Sequence, residues 1–211
     1  MEDVLALYER PVDLKEPVVC LDERPLTLHA DVRAPRPARP GHVAKRDNEY
    51  ERCGTANLFG IVEPKTGRHF SRVTPNRTGP QFARVVRDLV AAYPRARTIH
   101  LVCDNLNIHA EGSLIRTFGP REGHRLWRRL TVHYTPKHGS WLNQAELELS
   151  LIVRQALGTD RIPTREAIAE RVRAWNRRAN RRRTRITWRF TRKAARTKFK
   201  YHPRDFKRAQ P

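Results

Sequence analysis

Residues 99–109 read IHLVCDNLNIH. Ile99, Leu101, Val102 and Cys103 make a short apolar run that closes on Asp104 and Asn105. A run of this length, bounded by turn formers, reads as a buried strand. One acid at such an end is ordinary punctuation. The chain repeats the pattern at residues 17–23, PVVCLDE, where an apolar run meets Asp22 and Glu23. Two carboxylates at neighbouring strand ends repel each other, and burial raises their pKa values further unless a cation sits between them. Hard oxygen ligands in ones and twos, with positions left for water and phosphate, suit Mg2+.

The segments on either side fix the order of elements. Residues 24–30 can prolong the first strand before the Pro/Arg-rich loop RAPRPARPG at 33–41. TANLFGIVEP (55–64) and RHFSRVTP (68–75) read as strands joined in a hairpin at Lys65–Gly67. Phe82, Val85, Val86, Leu89 and Val90 recur at helical spacing within 81–93, and 97–104 is the strand already quoted. Helical stretches follow around 111–118 and 121–129, then a fifth strand at 130–136, LTVHYTP. A helix is predicted over 140–157 from Leu142, Ala145, Leu149, Ile152, Val153 and Ala156. Another spans 164–179, with Thr164 as N-cap and Ile168, Val172 and Trp175 facing inward. Residues 184–190 read as a strand or a turn, and 191–201 as a terminal helix. The expected fold is α/β: a mixed five-stranded sheet flanked by helices, with a basic helical C-terminal tail. The hairpin strands are antiparallel, and the helical crossovers make the later strands parallel to the first.

The 140–157 helix offers a third acid. Its apolar face centres between Ala145 and Leu149, which puts Glu146 roughly 65° from that centre and Glu148 about 95° away on the other flank. Glu146 is therefore expected to look down on the sheet edge. Glu148 reads as a solvated or arginine-paired acid.

Charge narrows the partners. The 211 residues carry a net charge of +21, which points to nucleic acid first and an acidic membrane surface second. No stretch of about 18 apolar residues is present, and MEDVLALYERP lacks the layout of a signal peptide. Cys20, Cys53 and Cys103 form no C-x-x-C pair, which argues for reduced thiols in a cytoplasm and against a zinc site. No histidine spacing marks a zinc cluster either, although His109, His133 and His138 fall near the acids. From Arg171 to Lys200 there are fourteen Lys/Arg and no acid, interleaved with Trp175, Trp188 and Phe190. Arg177, Arg178, Arg181, Arg182, Arg183 and Arg185 are the expected phosphate contacts, with Lys137 and His138 in the loop before the Glu146 helix. Such arginines give affinity without reading bases.

The blocks CLDE (20–23), YERCGTANLFG (50–60), LVCDNLNIH (101–109) and HYTPKHGSWLNQAELELS (133–150) together resemble the catalytic domain of a DDE transposase of the mariner superfamily. More closely, they resemble the bacterial insertion-sequence six-thirty family. The resemblance implies a ribonuclease H-like fold. It matches Asp22, Asp104 and Glu146 to the acidic, metal-holding triad, with Asn105, Trp141 and Asn143 in support. It implies DNA strand cleavage and strand transfer at element ends with Mg2+, or Mn2+ in its place, as two ions. The alternatives are a catalytically idle fragment that binds DNA non-specifically and another ribonuclease H-like nuclease. Family members carry helix-turn-helix modules before the first catalytic strand, whereas sixteen residues precede Pro17 here. The expected division is therefore 1–16 as a remnant or linker, 17–160 as the catalytic domain, and 161–211 as its basic helical extension. The expected partners are double-stranded DNA of transposon ends and target, a second copy in a homodimer, and a recognition module encoded upstream. The expected location is the bacterial cytoplasm, on the nucleoid.

Overall fold

The computed structural model describes residues 1–202. The chain runs α1 (Glu2–Glu9), β1 (Val18–Asp31), β2 (Tyr50–Glu63), β3 (Arg68–His69), β4 (Arg72–Thr74), α2 (Gly79–Ala92), β5 (Ile99–Cys103), α3 (Glu111–Phe118), α4 (Pro120–Trp127), β6 (Leu130–Tyr134), α5 (Ala145–Ile152), α6 (Arg165–Arg182) and α7 (Arg192–Phe199). The sheet order is β3-β2-β1-β5-β6, with β4 also on β2. β1 and β2 are antiparallel from Cys20↔Val62 to Asp31↔Tyr50. β5 lies parallel to β1, and β6 parallel to β5, as the helical crossovers require.

The sheet has six strands because the expected strand at 68–75 is split. β3 and β4 keep one register on β2, with Val62↔His69 in one and Leu58↔Val73 in the other. Between them the Ile61 N–H donates to the Ser71 hydroxyl at 3.3 Å instead of to a carbonyl. A side chain thus replaces one rung of the ladder.

Side chains alternate across the sheet with period two. Val19, Leu21, Phe59 and Ile61 join Phe82, Val86, Leu89, Leu114 and Leu126 beneath α2, α3 and α4. Val18, Cys20, Val62 and Val102 face the other way, toward Val4, Leu5, Leu7, Tyr8, Leu142, Ala145 and Ala195. Residues 1–16 are thus more than the expected linker. α1 buries Val4, Leu5, Leu7 and Tyr8 in one stripe, and the Tyr8 hydroxyl donates to the Leu142 carbonyl at 2.7 Å. Its acids hold α7 in turn, through Glu9–Arg192 and Glu2–Arg196 ion pairs.

The helix expected over 140–157 is interrupted. A 3-10 turn at Ser140–Leu142 precedes α5, and a π turn at Val153–Leu157 follows it. The break falls at Asn143, whose backbone is extended. α6 begins as expected, with the Thr164 hydroxyl accepting from the Ala167 N–H at 3.2 Å. Its Ile168, Val172 and Trp175 pack with Leu28, Ala56, Leu58 and Leu149. Residues 184–190 form no strand, and the last part of the expected tail, 203–211, lies outside the described residues. No helix among the described residues is long and apolar enough to cross a membrane.

Candidate active site

Asp22 does not end its strand. β1 runs on to Asp31, while β5 stops at Cys103, so the last β1–β5 pair is Cys20↔Val102. Continuing that register by two residues brings Asp22 level with Asp104. Alternation puts Asp22 on the face of Val18 and Cys20, the face that α5 covers, and Glu23 on the opposite one.

Two local features bring α5 to this edge. Across β2 the partner of Asp22 is Gly60, and a Cβ there would stand 2.6 Å from Leu149 Cγ. The missing side chain lets α5 settle against the backbone of β2. Asn143 ties the start of the helix down: its Nδ2 donates to the Leu21 carbonyl at 2.7 Å, and its Oδ1 accepts from the Ala145 N–H at 3.2 Å. Asn143 therefore joins the residue before Asp22 to the turn that carries Glu146.

Asp22 senses the acids around it. Burial pushes the Asp22 pKa up to about 7, and the charges of Glu23, Glu146 and Asp104 add to it. The Glu23 N–H, donating to Asp22 Oδ1 at 2.8 Å, opposes the rise. Asp104 goes the other way, because contact with His109 holds its carboxyl below the usual range despite burial. Hard oxygen donors crowded at this edge, with no Lys or Arg bonded to Asp22 among the described residues, fit a divalent metal ion.

Glu23 and His109 also belong to the cluster, although sequence reasoning assigned neither a role. His109 is 1% exposed. Its Nε2 lies 2.6 Å from Glu23 Oε1, and its Nδ1 lies 2.8 Å from Asp104 Oδ1 and 3.0 Å from the Asp104 carbonyl. Burial works against a charge on the ring, but Asp104, Cys103 and Glu23 around it outweigh that and push its pKa up to about 12. Ligand atoms of Glu23, Asp104 and His109 lie within 4.8 Å of one another, close enough to hold a metal ion. The available signal was the acid directly after Asp22, whose side chain must point to the opposite face.

Glu148 is buried rather than solvated, and among the described residues it pairs with no arginine, contrary to expectation. It is 4% exposed, and its Oε2 lies 3.4 Å from His69 Nδ1, in a cavity lined also by Trp175, Gln155, Arg178 and Arg182. Burial pushes the Glu148 pKa up to about 7 and the His69 pKa down to about 4. α6 covers the flank on which a lone helical wheel leaves Glu148 in water.

The remaining predicted residues are spread more widely. Asn105 is exposed in the turn after β5. Trp141 is 40% exposed and stacks on Trp188, with ring centroids 6.4 Å apart, while Phe190 meets it edge-on. Lys137 and His138 are exposed in the loop after β6, His138 with a left-handed φ of 62°. Arg177, Arg178, Arg181, Arg182, Arg183 and Arg185 are exposed along the end of α6 and just beyond it.

The strand order and the helices on both faces define a ribonuclease H-like α/β domain. Residues 17–169 match the family model described as DDE superfamily endonuclease, and the chain belongs to that family. Among solved structures it is similar to the Mos1 transposase paired-end complex with left transposon end, with a TM-score of 0.54 at 16% identity over 87% of this chain and 56% of that one. The Mos1 mariner paired end complex with Mn gives the same values. The Mos1 strand transfer complex matches with a TM-score of 0.55 at 16% identity, over 85% of this chain and 54% of that one. At this identity the likeness speaks for the fold, and the chain spans little more than half the length of these structures. No curated protein matches it.

Proposed function

We propose that this chain is the catalytic domain of an insertion-sequence transposase, of the bacterial six-thirty family, that cuts DNA strands at element ends and joins them to a target. The observation that carries the reading is geometric: the β1–β5 register, continued past Cys20↔Val102, sets Asp22 level with Asp104, and Asn143 ties the turn that carries Glu146 to Leu21, the residue before Asp22. In this reading Asp22, Asp104 and Glu146 hold two Mg2+ or Mn2+ ions, and Asn143 fixes the helix that carries Glu146. Bound there, the metal supplies activation of water or a 3′-hydroxyl and stabilisation of the leaving oxygen. The neighbours crystallised with Mn and with Mg support the choice of ion. The net charge of +21 suits a DNA substrate, held by Lys137, His138 and the arginines from Arg177 to Arg185. A second copy of the chain and an upstream-encoded helix-turn-helix module complete the assembly, on the nucleoid of a bacterial cytoplasm.

The test is cleavage of terminal-repeat DNA with and without Mg2+ or Mn2+. Asp22→Asn, Asp104→Asn and Glu146→Gln should each remove metal-dependent cleavage while leaving DNA affinity nearly intact, and Glu148→Gln should cut. A dead Glu148→Gln beside a live Glu146→Gln would overturn the assignment of the third acid.

A further inference from the structure

Asp22 accepts from the backbone N–H of Glu23, whereas the Asp104 carboxylate is gripped from behind by a side chain as well. Its Oδ1 accepts from the Leu106 N–H at 3.3 Å and lies 2.8 Å from His109 Nδ1. Among the described residues no hydrogen bond ends on Oδ2. The imidazole and its own backbone are both held. Phe82 packs on the ring at 4.8 Å between centroids, the Tyr134 hydroxyl donates to the His109 carbonyl at 2.6 Å, and Glu23 Oε1 meets Nε2 at 2.6 Å. The Glu23 side chain is only 3% exposed, so this contact is shielded from water.

Replacing a buried charged pair by apolar residues of similar size is often neutral in stability, because the desolvation cost of burying the pair offsets its attraction. What the polar pair alone supplies is a bearing for one carboxylate oxygen. The path runs from β1, one residue after Asp22, through the ring to the end of β5, so it also locks together the two strands that carry the acids.

We propose that Glu23 and His109 are a positioning pair. They commit Asp104 Oδ1 and turn Oδ2 outward as the metal ligand. The proposal rests on the reading of Asp104 as a ligand. The alternative, a cation held directly among Glu23, Asp104 and His109, would have to displace both short ring contacts.

The experiment is Mn2+ binding by the full chain, followed by electron paramagnetic resonance, together with metal-free melting curves. Loss of a partner behind a metal ligand typically weakens binding about 10–100-fold. Glu23→Leu and His109→Gln should both raise the Mn2+ dissociation constant within that range. Glu23→Gln keeps an acceptor for Nε2 and should recover most of the affinity. Should Glu23→Leu fail to fold, His109→Gln and Glu23→Gln decide the matter, read at temperatures where the melts show them folded. Mn2+ affinity at the wild-type level in folded His109→Gln would overturn the positioning role, as would a nitrogen coupling showing the imidazole bound to Mn2+. Asp104→Asn separates the two layers. If it leaves Mn2+ binding unchanged, the metal-site reading itself falls. If it abolishes binding while His109→Gln binds normally, only the positioning pair falls.

Discussion

Gly60→Ala tests the contact that sets α5 on the sheet. The added Cβ would lie 2.6 Å from Leu149 Cγ and 2.7 Å from Cδ2. Carbon atoms pack at about 3.5–4.0 Å, so the shortfall is about 1 Å. Leu149 cannot swing away freely, because it is buried among Leu28, Ala56, Leu58 and Ile152. Either Leu149 leaves its rotamer or α5 lifts, and Glu146, one turn earlier on the same helix, lifts with it. Overpacking of this kind costs about 1–3 kcal/mol. For a domain of this size that is a fall of roughly 2–12 °C in melting temperature. Urea unfolding measures the cost, and a Mn2+ titration measures the displacement of Glu146, which should weaken binding. Leu149→Ala alone should cost about 2–5 kcal/mol. Because it also removes the clash, the double variant should cost less than the sum of the two by about 1–3 kcal/mol. Strict additivity, or a Gly60→Ala variant as stable as the parent, would refute the close-approach argument.

Glu148 binds its proton more tightly folded than unfolded, so the stability this adds is present below the usual carboxylate range and is lost as pH rises from about 4.5 to about 7. Glu148→Gln should therefore flatten that loss and gain about 1–3 kcal/mol on the parent at pH 8, read by urea unfolding across pH. Tyr8→Phe leaves the Leu142 carbonyl without its donor and should cost about 1–2 kcal/mol in the same assay. Replacing Arg177, Arg181 and Arg185 with glutamine should weaken binding to every duplex alike. It should also flatten the plot of log affinity against log salt by about 0.9 for each phosphate no longer engaged, and a variant that changed sequence preference instead would contradict a backbone-only role.

The strands were legible because their patterns are local. The runs at 17–22 and 97–104 and the hairpin at 55–75 carry their own periodicity, and with the helices between them they dictate a mixed sheet. The prolongation of the first strand over 24–30 is present as well, because β2 pairs with β1 all along, from Glu23↔Phe59 to Pro25↔Asn57. A proline is tolerated there because β5 has ended and that side of β1 is an edge. What sequence could not supply was set by distant neighbours. The wheel angle of Glu148 was readable, but its burial depends on α6 and Trp175, which fold over it from further along the chain. The contact between Glu23 and His109 joins residues 86 positions apart, and neither carries a local mark of it. α1 is a different kind of miss. Its apolar stripe was present in VLALY, and only its shortness made it look like a linker.

The pairing of α1 with α7 has a consequence for how the protein is made. The side of the sheet that carries Val18, Cys20, Val62 and Val102 is closed by residues from both ends of the chain, Leu5 and Tyr8 at one and Ala195 at the other. Translation proceeds at about 5–20 residues per second, so roughly 10–40 s pass between synthesis of α1 and synthesis of α7. During that interval the nascent sheet presents an unfinished apolar strip, and the arginines from Arg177 to Arg185 arrive only just ahead of α7. The order of synthesis, rather than the final free energy, then decides when this domain becomes safe from aggregation.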